Sequence, residues 1–217
     1  MWLGARLHEV WLQRKKFPPI GHQVAGREAE EHLTKIISAG IEGTHWRMWE
    51  GLRIPNKDGR RREVDCIVVG GERVLMIEQK HWSGEMEIIS KDERERVIQH
   101  RRSGDKMDHG DVFGTIKLKT TILEYHHGAS EFFAVDMIPF VIFSNHNLVI
   151  PDSVKAREDC WTLADILDYL PKSGGNDPSK DGLSAPHSAL AATLDRLGSW
   201  DTLHHYGGQQ TIGDIYS

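Results

Sequence analysis

Three ionisable residues stand where strongly apolar runs leave little room for charge. In EVDCIVVGGERVLMIEQKHWSG, residues 63–84, Asp65 lies within one hydrophobic run, and Glu78 and Lys80 close the next. Both runs read as strands, Glu63 to Val69 and Arg73 to Gln79, apolar enough to be covered on both faces. Period-two alternation puts Glu78 and Lys80 on the same side. A charge in such surroundings must be paired, neutralised or metal-bound. Asp65 and Glu78 can give oxygens to a hard cation such as Mg²⁺. Such an ion polarises a phosphoryl oxygen and lowers the pKa of an attacking water. Lys80, beside them, can neutralise a phosphate or orient that water. The same spacing also suits a buried Asp–Lys or Glu–Lys ion pair that closes the sheet, and spacing alone leaves both readings open.

A fourth candidate comes from the preceding helix. Ala29, Leu33, Ile36 and Ile37 make one apolar face of a helix expected over residues 24–39, with Gly40 as its stop. Glu30, three residues before Leu33 and seven before Ile37, points toward that face, whereas Glu28 and Glu31 fall nearer solvent. Its alternative role is that of a helix-start acid favoured by the macrodipole.

The elements that must position these groups follow from pattern. Residues 1–22 read as a lead-in, helical until Pro18-Pro19. Strands are expected at Thr44–Trp49 and Glu85–Ile89 beside the two central ones. Residues 90–110 read as a surface loop or short hairpin. Val112–Tyr125 reads as a helix with Ile116, Leu118, Ile122, Leu123 and Tyr125 on one side, and Ile138–Phe143 as another buried strand. Beyond residue 150 the pattern gives a short helix capped by Thr162, a loop over 172–184, a helix over Pro186–Leu197 and a hairpin turning at Gly207-Gly208. The expected class is α/β, a mixed central sheet flanked by helices, with a small C-terminal extension of helix and hairpin. The boundaries are a lead-in over 1–22, a core over 23–150 and the extension over 151–217.

Composition narrows the setting. With 217 residues, 39% hydrophobic, 27% charged and a formal net charge of −5, the chain is globular and gives nucleic acid no global electrostatic pull. No apolar run approaches the roughly 18 residues needed to span a bilayer, so no membrane partner is expected. The N-terminus lacks a secretory pattern, and Cys66 and Cys160 form no CxxC pair, so a cytoplasmic protein is expected. The histidines at 109, 126, 127, 204 and 205 form no convergent set by spacing. No P-loop, GxSxG or Rossmann fingerprint is present.

The set of helix Glu, strand Asp and strand ExK resembles the restriction-endonuclease-like nuclease core, and more narrowly the nuclease-related domain family. The likeness is carried by Gly26 to Glu30 (G-x-x-small-E), by VDCIVV, by IEQK, by Trp82-Ser83-Gly84 and by the VIFSN run Val141–Asn145, and spans about residues 21–147. The family often carries a Gln early in the helix after the long loop, where this chain has Thr115. The resemblance implies a metal-dependent phosphodiesterase acting on DNA, with RNA left open. Asp65 and Glu78 would bind Mg²⁺ or Mn²⁺, Lys80 would position the nucleophile, and Glu30 would assist as a metal or water ligand. Arg60, Arg61 and Arg62 precede the Asp strand, and Arg94, Arg96, Arg101 and Arg102 follow the next hairpin. Both groups, with His81 and Trp82, are the expected nucleic-acid contacts. The competing reading is a nuclease-like fold used without catalysis, as a binding or interaction module. Oligomeric state is not legible in the pattern.

Overall fold

The two apolar runs pair with one another as expected, and their pairing creates the site. The computed structural model describes residues 21–70, 73–91, 94–127, 135–170 and 182–207. Strands β1 (Arg47–Pro55), β2 (Arg61–Gly70) and β3 (Arg73–Lys80) form an antiparallel series. Strand β7 (Asp136–Phe143) then lies parallel to β3, and β9 (Cys160–Trp161) lies parallel to β7. The sheet order is β1-β2-β3-β7-β9, so β2, β3 and β7 are interior strands. That accounts for the near-continuous apolarity of β3, buried from Val74 to Gln79.

Helices cover both faces. On one face lie α2 (Val112–His127) and α5 (Ala185–Gly207), burying Ile116, Leu123, Leu190 and Leu194 against Ile67, Val69, Val74 and Met76. On the other lie α1 (Gly21–Ile41) and α4 (Leu163–Tyr169), burying Leu33, Ile37 and Ile166 against Cys66, Val68, Leu75 and Ile77. Side-chain parity on β2 changes partway along. Cys66 and Val68 belong to the α1 core, yet Val64 of the same parity belongs to the α2 core, as do Leu52 and Ile54 of β1. The crossover falls at Asp65 and at Gly51 opposite it, whose φ of 54° is a left-handed conformation that suits glycine. Asp65 therefore sits where the strand pair twists from one face to the other.

A second, smaller sheet stands beside the first. It has the order β6-β5-β4-β8, formed by β4 (Gly84–Lys91), β5 (Arg94–His100), β6 (Lys106–Asp108) and β8 (Leu148–Val149), with the short helix α3 (Asp152–Lys155) after it. The segment expected as a loop or short hairpin is thus mostly strand. In β5 the charged run Arg94–Glu95–Arg96 leads into Val97, Ile98 and Gln99, all buried, and Val97 packs in the main core. The first strand also differs from expectation: it runs from Arg47 to Pro55, and Trp46 precedes it, packed across Gly70 so closely that a Cβ there would meet the indole at 2.2 Å. Helix α1 begins at Gly21, three residues ahead of its expected start, and Thr162 caps α4 through a capping box with Asp165 as read. Residues beyond 150 contribute to both cores through Val154, Ile166, Leu190 and Leu194. Helix α5 extends to Gly207 across the expected first hairpin arm, and residues 1–20 and 208–217 lie outside the described set. No helix among the described residues is long and apolar enough to cross a membrane.

Gly84 ties the small sheet to the site. Its φ is 97°, and a Cβ on it would lie 2.1 Å from the carbonyl oxygen of His100. Gly84→Ala should therefore destabilise the fold by at least about 2 kcal/mol, strain and backbone clash combined. Urea unfolding measures this, and a loss under 0.5 kcal/mol (about the noise of a surface change) would show that β4 does not need this close approach.

Candidate active site

One step beyond Cys66 and Ile77, the last paired residues of β2 and β3, the ladder ends and Asp65 comes beside Glu78. The Asp65 carboxylate replaces the missing ladder bond: the backbone N–H of Gln79 donates to its Oδ2 at 2.7 Å. Glu78 shares the parity of Val74 and Met76, so it points toward α2. Gln79 points the other way, its amide donating to the carbonyl of Ala29 in α1 at 3.0 Å.

Glu78 is held from both sides. Lys80 Nζ donates to its Oε1 at 2.6 Å, and Lys119 Nζ to its Oε2 at 2.5 Å. The side chains of Glu78 and Lys119 are 9% and 8% exposed, against 24% for Lys80, so the Glu78–Lys119 pair is the drier one. Burial pushes the Glu78 pKa up, but the two lysines outweigh it and hold the carboxyl below its ordinary value. Lys80 is raised: burial lowers it, but Glu78 and Asp65 outweigh that. Both ammonium groups being spent on Glu78, Asp65 is left short of positive charge. Burial first, then Glu78, push its pKa up to about 7. Glu30, expected on the inward face, is exposed at the rim like Glu28 and Glu31, because the packed stripe runs through Ala29, Leu33 and Ile37; its pKa is raised by partial burial and then by Glu63, with Lys80 pulling it down and Glu78 adding to the rise.

Lys119 is a residue that the sequence reading missed. It lies on the inward face of α2, with Val112, Phe113, Ile116 and Leu123, whereas Leu118 and Tyr125, expected on that face, are 52% and 60% exposed. The 112-116-119-123 spacing carried the signal: a lysine in a helical apolar stripe needs a buried anion. Asp111 sets the helix in place, its Oδ1 accepting the Gly114 N–H at 2.7 Å, and a Cβ on Gly114 would meet that carboxylate at 2.1 Å. The hydroxyl of Thr115 donates back to the Asp111 carbonyl.

The small sheet supplies a wall beside Lys80. Trp82 stacks on His109 with ring centroids 3.7 Å apart. Gln99 links that pair to the chain, its amide donating to the Ser83 carbonyl at 2.7 Å and its oxygen lying 3.0 Å from His109 Nε2. Burial, then Lys80 and Arg101, drive the His109 pKa down to about 4, so the ring is neutral near pH 7. His81 is half-buried, its Nδ1 3.0 Å from Ser144 Oγ.

The expected basic groups divide. Arg60 is an exposed turn residue, but Arg61 and Arg62 are already in β2, where consecutive side chains face opposite ways. Arg62 lines a groove of about 860 Å³ with Lys57, Leu118 and Tyr125. Arg94 and Arg101 flank β5, about 20 Å apart at strand rise. Arg96 between them is paired with Asp108 at 2.8 Å. Arg101 and Arg102 occupy the exposed β5–β6 turn, and of the second group Arg101 is the one whose charge reaches His109.

The donor chemistry fits a hard divalent cation in part. Asp65 Oδ1 accepts no hydrogen bond from any described residue, and its carboxylate lacks a cation of its own. Glu78 has both oxygens taken. Among the described residues no three His, Cys, Asp or Glu side chains converge as a ready metal cage. An ion placed here would have Asp65 as its available donor, and Glu78 would join it only with one ammonium displaced.

The sequence profile described as "Nuclease-related domain" matches residues 25–144, a stretch that contains Glu30, Asp65, Glu78, Lys80 and Lys119. "Probable kinase PglW" of Streptomyces coelicolor is 23% identical over 160 residues, covering 72% of this chain and 10% of its own length. The chain thus spans about a tenth of the curated relative it matches. No solved structure matches it.

The raised pKa of Asp65 has a consequence for stability. Its folded value, about 7, exceeds the ordinary aspartate value of 3.8, so the native state holds more protons between these pH values. The stabilisation is full below pH 4 and is lost as pH rises to 7, of the order of a few kcal/mol in all. Asp65→Asn, which keeps an acceptor for Gln79, should be more stable than the parent at pH 8 and show a flatter pH profile over that window. Equal denaturant midpoints for the two proteins at pH 8 would contradict this.

Proposed function

Since the chain belongs to the nuclease-related domain family, which has the restriction-endonuclease-like fold, we propose that it is a divalent-metal-dependent nuclease that hydrolyses phosphodiester bonds in DNA. The observation that carries the reading is the meeting of Asp65, Glu78 and Lys80 where the β2–β3 ladder ends, with Asp65 half-buried and both lysine ammonium groups hydrogen-bonded to Glu78 instead of to it. Structural ion pairs are normally balanced. A carboxylate pushed up to about 7 beside a lysine is the kind of costly arrangement that functional sites retain.

On this reading Asp65 and Glu78 hold Mg²⁺ or Mn²⁺, which when bound supplies charge for the phosphoryl oxygens and a more acidic water. Lys80, the more exposed lysine, pairs with the scissile phosphate or holds the attacking water. Glu30, at the rim with a raised pKa, accepts a proton from a nearby water or ligates through one. The Trp82–His109 stack closes one side against solvent and keeps a neutral imidazole near Lys80. For an acidic protein, DNA contact rests on local basic residues. Arg62 and Arg101 are the two best placed, one in the groove beside α2 and the other near His109. Kinase activity is not carried over from PglW, of which this chain matches a tenth.

Plasmid cleavage tests the proposal. Activity should require Mg²⁺ or Mn²⁺ and vanish in EDTA. Asp65→Ala, Glu78→Ala and Lys80→Ala should each reduce it at least 100-fold, and Glu30→Gln should reduce it less. Turnover in EDTA equal to that in Mg²⁺ sinks the metal mechanism. A parent that binds DNA but never cuts it favours the non-catalytic module, a reading that the double clamp on Glu78 suits.

Arg62→Ala should weaken DNA binding for all sequences alike and lower the log–log salt slope by about 0.7–0.9, the value for one phosphate contact. An unchanged slope removes Arg62 from the interface.

A further inference from the structure

We infer that Lys119 is a fixed internal cation that holds Glu78 while a divalent ion is absent, so that metal entry is an exchange against the ammonium group of Lys80 rather than the filling of an open site. The inference rests on the metal-site reading above and assigns the regulation of that same site.

Both Glu78 oxygens are engaged, Oε1 by Lys80 and Oε2 by Lys119. Whichever oxygen a cation takes, one lysine must leave it. Lys80 has an exit, being 24% exposed and also within reach of Asp65 and Glu30 electrostatically. Lys119 has none of comparable ease. Its side chain is 8% exposed and rises from the middle of a helix face between Ile116 and Leu123, both fully buried. Glu78 is its ion-pair partner among the described residues. An ammonium so placed holds Glu78 ionised and oriented while the ion is absent. It also repels an arriving dication at short range in a poorly screened setting. The lysine displaced by the ion carries its charge toward the cleft, where a phosphate could accept it. A weak metal site that strengthens as substrate arrives follows from this exchange.

The probe is Ca²⁺, a divalent ion that binds oxygen donors without needing catalysis, titrated by calorimetry into the parent, Lys119→Gln and Lys119→Arg. The glutamine keeps a donor for Glu78 but removes the charge, so an arriving dication meets one ammonium fewer and a neutral donor that is more easily displaced. Ca²⁺ should bind Lys119→Gln about tenfold or more tightly than the parent, whereas Lys119→Arg should stay within about threefold of it. Ca²⁺ should also raise the melting temperature of Lys119→Gln more than that of the parent. Equal or weaker binding to Lys119→Gln, with binding to the parent intact, overturns the exchange and leaves the metal-site reading standing. No Ca²⁺ or Mn²⁺ binding to any of the three overturns both. Should the glutamine variant fail to fold, the lysine ammonium resonances of the parent decide the matter. Signals of Lys80 and Lys119 that both stay unmoved on saturation with Ca²⁺ overturn the exchange.

Discussion

The Glu78 carboxylate, locked between two ammonium groups in the layer between sheet and helix, is the constraint on which the rest of the site depends. Strand β3 is interior, with helices on both faces, and such a strand has no water for a charge. A carboxylate there must come with cations of its own. One is local, Lys80 two residues on. The other, Lys119, must be delivered across the layer by α2, and that fixes the rotation and the axial position of the helix. Asp111 and Gly114 serve that placement: the cap anchors the first turn, and the missing Cβ lets the carboxylate approach. Breaking such a pair costs more than forming it gains, because the remaining charge stays buried. The fold therefore cannot relax around Glu78 without losing much of its stability.

The same pairing explains the state of Asp65. Two lysines and two carboxylates would balance if shared evenly, but Glu78 takes both ammonium groups. Asp65 keeps a backbone N–H and an open oxygen. Burial first and then the Glu78 charge raise its pKa, and the two lysines, drawn to Glu78, offset only part of that rise. The end of the β2–β3 ladder makes the imbalance possible, since a continuous ladder would have left neither a free amide for Asp65 nor room beside it. Gly51 opposite permits the twist at this point.

The small sheet gives the site a second wall and redistributes the positive charge. Gly84 lets β4 come against β5 at the mouth of the site, and Gln99 joins Ser83 and His109 so that Trp82 is held face to face with the imidazole. Building charged residues 94–108 into strands spends some of them on one another, as with Arg96 and Asp108. A basic sequence run is therefore a poor guide to a basic surface. What counts is which residues remain turned toward the cleft.

The sequence by itself determined the parts governed by local physics. Two apolar runs with charges at their ends had to be interior strands, because only burial explains the apolarity and only chemistry or pairing explains the charge. Thr162, the α1 face of Ala29, Leu33 and Ile37, and the family resemblance were legible for the same reason: caps, periodicity and motifs are short-range. The tertiary structure decided what depends on distant partners. Leu118 and Tyr125 looked like core residues and Lys119 was missed, because hydropathy alone does not show which stripe of a helix meets a buried anion 41 residues away in sequence. Residues 90–110 read as loop or short hairpin, and the structure carries the hairpin reading further, into a sheet, because their charges hide a strand whose inward residues are few. The partition of two lysines onto one carboxylate belongs to neither strand nor helix alone. It exists only when β3 and α2 pack, since the energy of a buried charge is fixed by what surrounds it in space.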